Sequence, residues 1–95
     1  MNWCVYIIEC RDKTLYTGIT TNLSKRLLMH EAGKGAKYTK GRGPFSLLFV
    51  QSDLSRSEAL KLERALKKRT VKEKIKVAEY GDVSILGWGR PTKGV

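Results

Sequence analysis

Residues 5–30 decide the fold, and they read VYIIECRDKTLYTGITTNLSKRLLMH. Two runs in this stretch are rich in β-branched and aromatic residues, which favour strands, and they hold Tyr6 and Tyr16. The polar break RDKT between the runs is short and turn-like, so the runs are predicted to form a β-hairpin. The residues that follow predict a helix, on which Arg26 and His30 share one face because they are separated by about one turn.

These two phenols, the guanidinium and the imidazole are groups that phosphodiester chemistry uses. They supply proton carriers and a fixed cation for the charge that develops on phosphate oxygens. Tyr6 and Tyr16 can serve one site only if they lie on the same face of the hairpin. Strand alternation then requires an odd-length loop or a bulge between Glu9 and Tyr16. A purely structural role for His30, the single histidine, stays open as the alternative.

The charge of the chain points to a polyanionic partner. The net charge is +10 over 95 residues, a length that predicts one domain. The basic residues do not follow one side of a strongly apolar helix, so nucleic acid is favoured over a membrane surface. A ribosome-associated protein, or a soluble basic protein without such a partner, remains the alternative.

The two cysteines and the N-terminal residues indicate in which cellular compartment the protein is expected. Cys4 and Cys10 are too far apart along one strand to form a disulfide with each other, so we expect buried free thiols in a reducing environment. We expect no secretion signal, because Met1 leads almost directly into a strand, and no apolar run approaches the ~20 residues of a membrane span. A cytoplasmic location is therefore predicted.

The remaining elements complete an α/β (α+β) pattern. The first strand, 3–9, has apolar residues on both faces and is predicted to be central. A third strand is predicted over 45–51, with both faces buried. Ser55 and Glu58 form a capping box that begins a helix ending near residue 69. A third short helix is expected to begin at residue 70 or 71.

Glu63 lies at the margin of the buried arc of the second helix, beside Ala59 and Leu66. A carboxylate at such a position costs free energy unless it is paired or bound to metal. One interpretation is a salt bridge to a nearby arginine such as Arg26. The other is a ligand for a divalent cation, because Mg²⁺ commonly takes one or two carboxylates together with waters and phosphate oxygens.

The loop 33–44 contains four glycines, a proline, four cations and one aromatic residue, and no acid. Backbone N–H groups, cations and a stacking ring suit a nucleic-acid backbone and base; the alternative is a solvated linker. Gly18, within the second strand, predicts the close approach of a backbone or ligand, or alternatively a bulge or room for a packed helix. The candidate nucleic-acid-binding residues are Lys37, Tyr38, Lys40 and Arg42 in the loop, with Lys67 on the polar face of the second helix.

Two short motifs in the hairpin resemble a known nuclease signature. Cys4-Val5-Tyr6 and Tyr16-Thr17-Gly18 are similar to the two halves of the GIY-YIG motif, at a similar separation. Arg26 and His30 are similar to the helix motif of that family, and Glu63 to its later metal-binding glutamate. The resemblance covers roughly residues 3–74, and its loop looks like the small single-domain bacterial branch that is often left uncharacterised.

The resemblance implies a central three-stranded antiparallel sheet flanked by helices, and we expect a nuclease-like domain over 1–80. The Gly-rich residues 81–95 are predicted to form a partly packed or frayed tail. The resemblance also implies that the protein hydrolyses DNA phosphodiester bonds with a single Mg²⁺ or Mn²⁺ ion. Branched and damaged DNA are candidate substrates. Glu63 would then hold the metal and Arg26 the scissile phosphate. The remaining site residues, which would position and deprotonate the water, are Tyr6, Tyr16 and His30.

The sequence departs from the family pattern at three points. The first half-motif has Cys-Val where Gly-Ile is usual, and Thr17 stands in place of isoleucine. No asparagine follows Asn22, although many relatives carry one after the glutamate. A nucleic-acid-binding module with weak or lost catalysis is therefore the alternative function, and a site that works only with a protein partner for targeting or activation is the third.

Overall fold

The computed structural model describes residues 2–81. Its three strands form one antiparallel sheet in the order β2-β1-β3, which confirms the predicted α+β fold. The predicted tail 81–95 lies outside the described residues, apart from Gly81. The elements in chain order are β1 Trp3–Glu9, β2 Leu15–Thr20, α1 Leu23–Glu31, β3 Ser46–Leu54, α2 Arg56–Lys67 and α3 Val71–Tyr80.

The hairpin between β1 and β2 has the odd-length loop that the two tyrosines require. Glu9 and Leu15 form the last pair of the ladder, so the five residues 10–14 make the connection. In this register Tyr6 pairs with Gly18, and Ile8 pairs with Tyr16. Because side chains alternate along a strand, Tyr6 and Tyr16 lie on the same face, and the prediction is confirmed.

The sheet is covered on both faces over β1, as predicted for a central strand. One face packs against α2 and α3 and holds the main hydrophobic core. Burial of each large aliphatic side chain there contributes about 1.5–3 kcal/mol. The opposite face carries Tyr6 and Tyr16 and receives the His30 side chain of α1. The buried core cluster consists of Val5, Ile7, Leu15, Phe49, Leu54, Ala59, Leu62, Leu66 and Val77.

The prediction that β3 is buried on both faces is wrong. The strand spans Ser46–Leu54, later than predicted, and Leu47 and Val50 are 45% and 41% exposed. Both lie on the Tyr6 face of the sheet, since Leu47 pairs with Ile8 and Val50 with Tyr6. β3 is an edge strand, and the described helices leave this part of that face open to solvent.

Local capping interactions begin all three helices. The Asn22 side chain accepts from the backbone N–H of Lys25 and begins α1. Complete capping boxes begin the other two helices, with Ser55 and Glu58 at α2 and Thr70 and Glu73 at α3. The predicted capping box of the second helix is confirmed. No helix within residues 2–81 is long and apolar enough to cross a membrane.

Candidate active site

Gly18 allows the two tyrosines to meet, because the ring of Tyr6 passes over it. A Cβ atom on Gly18 would lie 2.6 Å from Tyr6 Oη and 3.0 Å from a ring carbon of Tyr16. The first distance is far below van der Waals contact, so a side chain there would displace Tyr6. The sequence predicts the close approach of a backbone or ligand at Gly18, whereas the approaching group in the structure is the Tyr6 side chain.

A chain of three hydrogen bonds runs from Tyr6 through His30 to the loop after α1. Tyr6 Oη lies 2.7 Å from His30 Nε2, and His30 Nδ1 lies 2.8 Å from Thr39 Oγ1. The Thr39 hydroxyl donates to the carbonyl oxygen of Ala36 at 3.1 Å. Since a hydroxyl has one proton to donate, Thr39 accepts from Nδ1–H. His30 Nε2 then accepts from the Tyr6 hydroxyl, and these contacts assign the imidazole tautomer.

The three side chains of this hydrogen-bond chain are almost completely buried. Tyr6 and His30 are each 1% exposed, and Thr39 is 0% exposed. Burial, followed by the positive charge of Arg26, lowers the pKa of His30. Burial is also the largest cause that raises the pKa of Tyr6, followed by the proximity of Tyr16. Both groups are therefore neutral near pH 7, which is the state in which the phenol donates and the imidazole accepts.

The loop after α1 holds both helix residues of the site by its backbone. The carbonyl oxygen of Gly35 accepts a hydrogen bond from Arg26 Nη1 at 3.2 Å. A Cβ atom on Gly35 would lie 2.4 Å from His30 Nδ1, so the loop backbone lies directly against the imidazole. The sequence does not indicate Gly35 and Thr39 as site residues, although it predicts that the Gly-rich loop that carries them binds nucleic acid through its cations.

A row of rings connects His30 to the surface of the loop. The ring centroids of Tyr16 and His30 are 5.2 Å apart, and Tyr38 stacks on Tyr16 at 6.1 Å with an interplanar angle of 26°. The guanidinium carbon of Arg42 lies 4.6 Å from the centre of the Tyr38 ring. Arg42 also forms an ion pair with Asp12 of the hairpin loop. Arg42 therefore fastens the Gly-rich loop to the hairpin.

The remaining candidate nucleic-acid-binding side chains lie on the protein surface. Lys37 and Lys40 are exposed on the loop, where both ammonium groups can meet a polyanion. Tyr38 is 43% exposed, so part of its ring is accessible. Lys67 lies at the C-terminal end of α2, with 53% of its side chain exposed.

Glu63 approaches the site from α2. Its side chain is 19% exposed, and its Oε2 lies 3.3 Å from the Nζ of Lys67, one turn later on the helix. This ion pair replaces the alternative partner Arg26 that the sequence suggested. The charges of both Glu63 and Arg26 act on Tyr6, since the carboxylate raises and the guanidinium lowers the pKa of that phenol. The two charged groups therefore lie within electrostatic reach of the buried hydrogen-bond chain.

A comparison with known protein families matches residues 2–76 to the GIY-YIG catalytic domain. The match covers most of the chain and includes every candidate catalytic residue. The chain belongs to the GIY-YIG family. This membership supports a nuclease-type function and nucleic acid as the partner.

Relatives of this GIY-YIG chain include proteins that carry the name UPF0213. A UPF0213 protein of Oceanobacillus iheyensis is 54% identical over 76 residues, which make up 80% of this chain and 88% of the relative. The solution NMR structure of a UPF0213 protein from Bacillus halodurans is 38% identical, with a TM-score of 0.55, and the match covers 98% of this chain and 100% of that one. An NMR structure of an E. faecalis protein is 36% identical with a TM-score of 0.58, over 82% and 83% of the two chains.

GIY-YIG nucleases generally use a divalent metal, and the donor set of this chain fits such an ion. Glu63 offers one partly exposed carboxylate beside the site, and no group of three or more His, Cys, Asp or Glu side chains occurs within the described residues. Magnesium is commonly held by one or two carboxylates, with waters and substrate phosphate oxygens completing its shell. A single-metal site at Glu63 would displace the Lys67 ammonium from the carboxylate.

Proposed function

We propose that this protein is a divalent-metal-dependent endonuclease that hydrolyses DNA phosphodiester bonds, with branched or damaged DNA as candidate substrates in DNA repair. The observation that carries the proposal is the convergence of Tyr6, Tyr16 and His30 on one sheet face beside Arg26. The family membership supports the same reaction class. The catalytic residues of the proposal are Tyr6, Tyr16, Arg26, His30 and Glu63, with Glu63 as the ligand of Mg²⁺ or Mn²⁺.

The hydrogen-bond chain supports a path for the proton of the attacking water. Both ring nitrogens of His30 are engaged, by Tyr6 and Thr39, so the imidazole acts through Tyr6. The Tyr6 oxygen accepts a proton from the water while its own hydroxyl proton passes to His30 Nε2, 2.7 Å away. The phenol ends neutral, the charge rests on the imidazolium, and Nδ1–H continues to donate to Thr39.

Arg26 and Tyr16 act on the substrate. The Arg26 guanidinium keeps donors beyond the one bound to Gly35, and these bind the scissile phosphate and stabilise the charge that develops on its oxygens. Tyr16 is partly exposed and its ring adjoins His30, so its hydroxyl orients the water or phosphate. When bound at Glu63, the metal ion would act as a Lewis acid on a phosphate oxygen.

A nicking assay tests this proposal. Supercoiled plasmid and labelled branched DNA are incubated with Mg²⁺, with Mn²⁺ and with chelator, using wild type, Glu63→Gln and the control Glu79→Gln, which changes an exposed acid of α3. We expect metal-dependent cleavage by wild type and the control, and none by folded Glu63→Gln. Cleavage that persists in chelator, or in Glu63→Gln, would contradict the metal-ligand role.

A second candidate function is a nucleic-acid-binding module without efficient catalysis. The ion pair between Glu63 and Lys67 favours it, because a side-chain cation already neutralises the proposed metal ligand. Binding of DNA by wild type without cleavage under either metal would establish this alternative, and the search would turn to a protein partner that activates the site. We place either activity in the cytoplasm, where Cys4 and Cys10, both free and buried, would stay reduced.

A further inference from the structure

A recess of about 250 Å³ opens at the outer edge of β2, away from its pairing with β1. The loop after α1 contributes one wall, and the C-terminal end of α2 together with α3 contributes the other. It adjoins the candidate active site, because Tyr16 lines it and also contacts His30. The lining residues are Leu15, Tyr16, Thr17, Tyr38, Lys67 and Lys74.

Thr17, one of the lining residues, carries a buried hydroxyl without a partner within the described residues. The residue is 2% exposed, and its Oγ1 has no hydrogen-bond partner within the described residues. A buried polar atom without a partner destabilises a fold and calls for an explanation. A ligand in the recess that accepts a hydrogen bond would supply the missing partner.

Two ammonium groups share the recess with this hydroxyl. Lys67 and Lys74 come from different helices, and none of the described lining residues is acidic, although Lys67 is ion-paired with Glu63, which lies next to the recess on α2. Burial, followed by the charge of Lys67, lowers the pKa of Lys74, so the two cations are close enough to repel each other. An anion between them would relieve this repulsion.

The phenols of Tyr16 and Tyr38 add two more groups that can donate hydrogen bonds. Their rings stack with centroids 6.1 Å apart, which gives the recess an aromatic wall next to its cations. Ammonium and hydroxyl donors around one small space match the acceptor oxygens of a phosphate group. A ring wall beside a phosphate is typical of sites that track a nucleic-acid strand.

We propose that the recess between Thr17, Lys67 and Lys74 binds a second phosphate group of the nucleic-acid strand whose scissile phosphate lies at Arg26. This inference rests on the proposed nuclease function and extends it along the β2 edge. Glu63 lies one helical turn before Lys67. The proposed metal ligand is therefore adjacent on α2 to a lysine that lines the recess. The strand would leave the reaction centre across Tyr16 and place its neighbouring phosphate between the lysines.

Binding measurements in the presence of chelator test the recess without requiring cleavage. Short single-stranded and duplex DNA oligonucleotides are titrated with wild type, Lys74→Ala and the control Lys72→Ala, which removes an exposed lysine from the same helix. We expect Lys74→Ala to weaken binding about tenfold, as for a lost hydrogen bond to a charged group. Its slope of log K against log salt should also decrease in magnitude, by about 0.7 for a single strand or 0.9 for a duplex. Equal affinities and slopes for the two lysine variants would overturn the proposal.

Thr17→Val supplies a signature that a purely structural role would not produce. Removal of an unpaired buried hydroxyl should raise the melting temperature of the free protein, because valine has nearly the same shape and no polar atom to satisfy. The same variant should bind the oligonucleotides more weakly, because the phosphate loses a donor. A raised melting temperature with unchanged affinity would overturn the role of Thr17.

The closing experiment separates this inference from the proposed function. Inorganic phosphate is titrated into wild type, Lys74→Ala and Lys72→Ala, and the NMR signals of the Thr17 methyl and amide groups are followed. Shifts in wild type and Lys72→Ala that are lost in Lys74→Ala support the recess even if no DNA is ever cleaved. Cleavage by wild type together with no phosphate-dependent shift at Thr17 would overturn the recess and leave the nuclease proposal intact.

Discussion

The hydroxyl of Tyr6 lies 2.7 Å from Nε2 of His30 and joins the central strand to the first helix. Both side chains are almost completely buried, and the bond spans 24 positions of the chain. In low dielectric surroundings such a contact is stronger than at the surface, and its loss leaves a buried acceptor without a partner. This one bond therefore serves both the stability of the fold and the proposed proton path.

Tyr6→Phe should test both roles together. The unpaired Nε2 is expected to lower the free energy of unfolding by about 1–3 kcal/mol, measured by urea denaturation. Cleavage should fall by about 10²–10⁴-fold, since the proton path is interrupted. Tyr80→Phe removes a hydroxyl from a side chain that is 74% exposed and serves as the control. Activity of Tyr6→Phe equal to this control would exclude Tyr6 from the reaction.

Gly18→Ala should disturb the site without changing any polar group. The added Cβ would lie 2.6 Å from Tyr6 Oη, so the ring must move or the strands must separate. Such overpacking costs about 1–3 kcal/mol, which urea denaturation can measure. We also expect the NMR signals of the His30 ring to shift, because the displaced Tyr6 hydroxyl no longer donates its hydrogen bond to His30 Nε2. An unchanged His30 spectrum would show that the strand adapts in another way.

Thr39→Val should alter the tautomer of His30. Valine keeps the buried shape but cannot accept from Nδ1–H, so the imidazole loses the partner that holds this proton in place. Nitrogen-15 NMR of the single histidine should show Nδ1 protonated in wild type and a mixture of tautomers in Thr39→Val. Thr39→Ser retains the hydroxyl and should restore the wild-type spectrum. The same spectrum in all three proteins would refute the assignment.

The lowered pKa of His30 predicts how the free energy of unfolding changes with pH. Its pKa in the folded protein lies below its ordinary value because of burial and Arg26, so the unfolded chain takes up the proton first on acidification. Its contribution to stability is therefore present above about pH 6.5 and is lost as the pH falls toward its folded-state pKa. The free energy of unfolding should decrease from pH 7.5 to 5.5. The imidazole NMR signals report the titration directly, and a folded-state midpoint above 6.5 would contradict this prediction.

The loop cations predict a change in nucleic-acid binding. Combined Lys37→Ala and Lys40→Ala substitutions should weaken binding and reduce the salt dependence, because fewer counterions are released. Arg42 is better tested alone, since its contacts with Asp12 and Tyr38 hold the loop. Arg42→Ala should therefore increase amide hydrogen exchange in the loop as well as weaken binding. Unchanged affinity and salt dependence in the double lysine variant would show that these lysines do not bind nucleic acid and that the loop only supports the site.

The features predicted from sequence are those that depend on neighbouring residues. The hairpin loop, the capping box at Ser55 and the shared face of Tyr6 and Tyr16 follow from strand alternation and local hydrogen bonds. The ion pair of Glu63 with Lys67 also spans only one helical turn. The i, i+4 spacing therefore indicates Lys67 as a partner for Glu63 as directly as the shape of the buried arc indicates Arg26.

The features that were missed depend on how the elements assemble. Leu47 and Val50 are exposed because the described helices leave the part of the Tyr6 face over β3 open to solvent. The apolar run of β3 does not indicate this. Thr39 supports His30 from nine positions away, through a loop path that glycine content alone does not define. The recess at Thr17 likewise requires β2, α2 and α3 to be placed together.

The contacts of the loop after α1 have a consequence for protein engineering. Gly35 holds Arg26, Thr39 holds His30, and Tyr38 stacks on Tyr16, so the loop and the reaction centre form one structural unit. A loop transplanted from a relative would keep these contacts only together with a first helix that presents matching side chains. Libraries that vary substrate preference should therefore exchange residues 23–45 as one block.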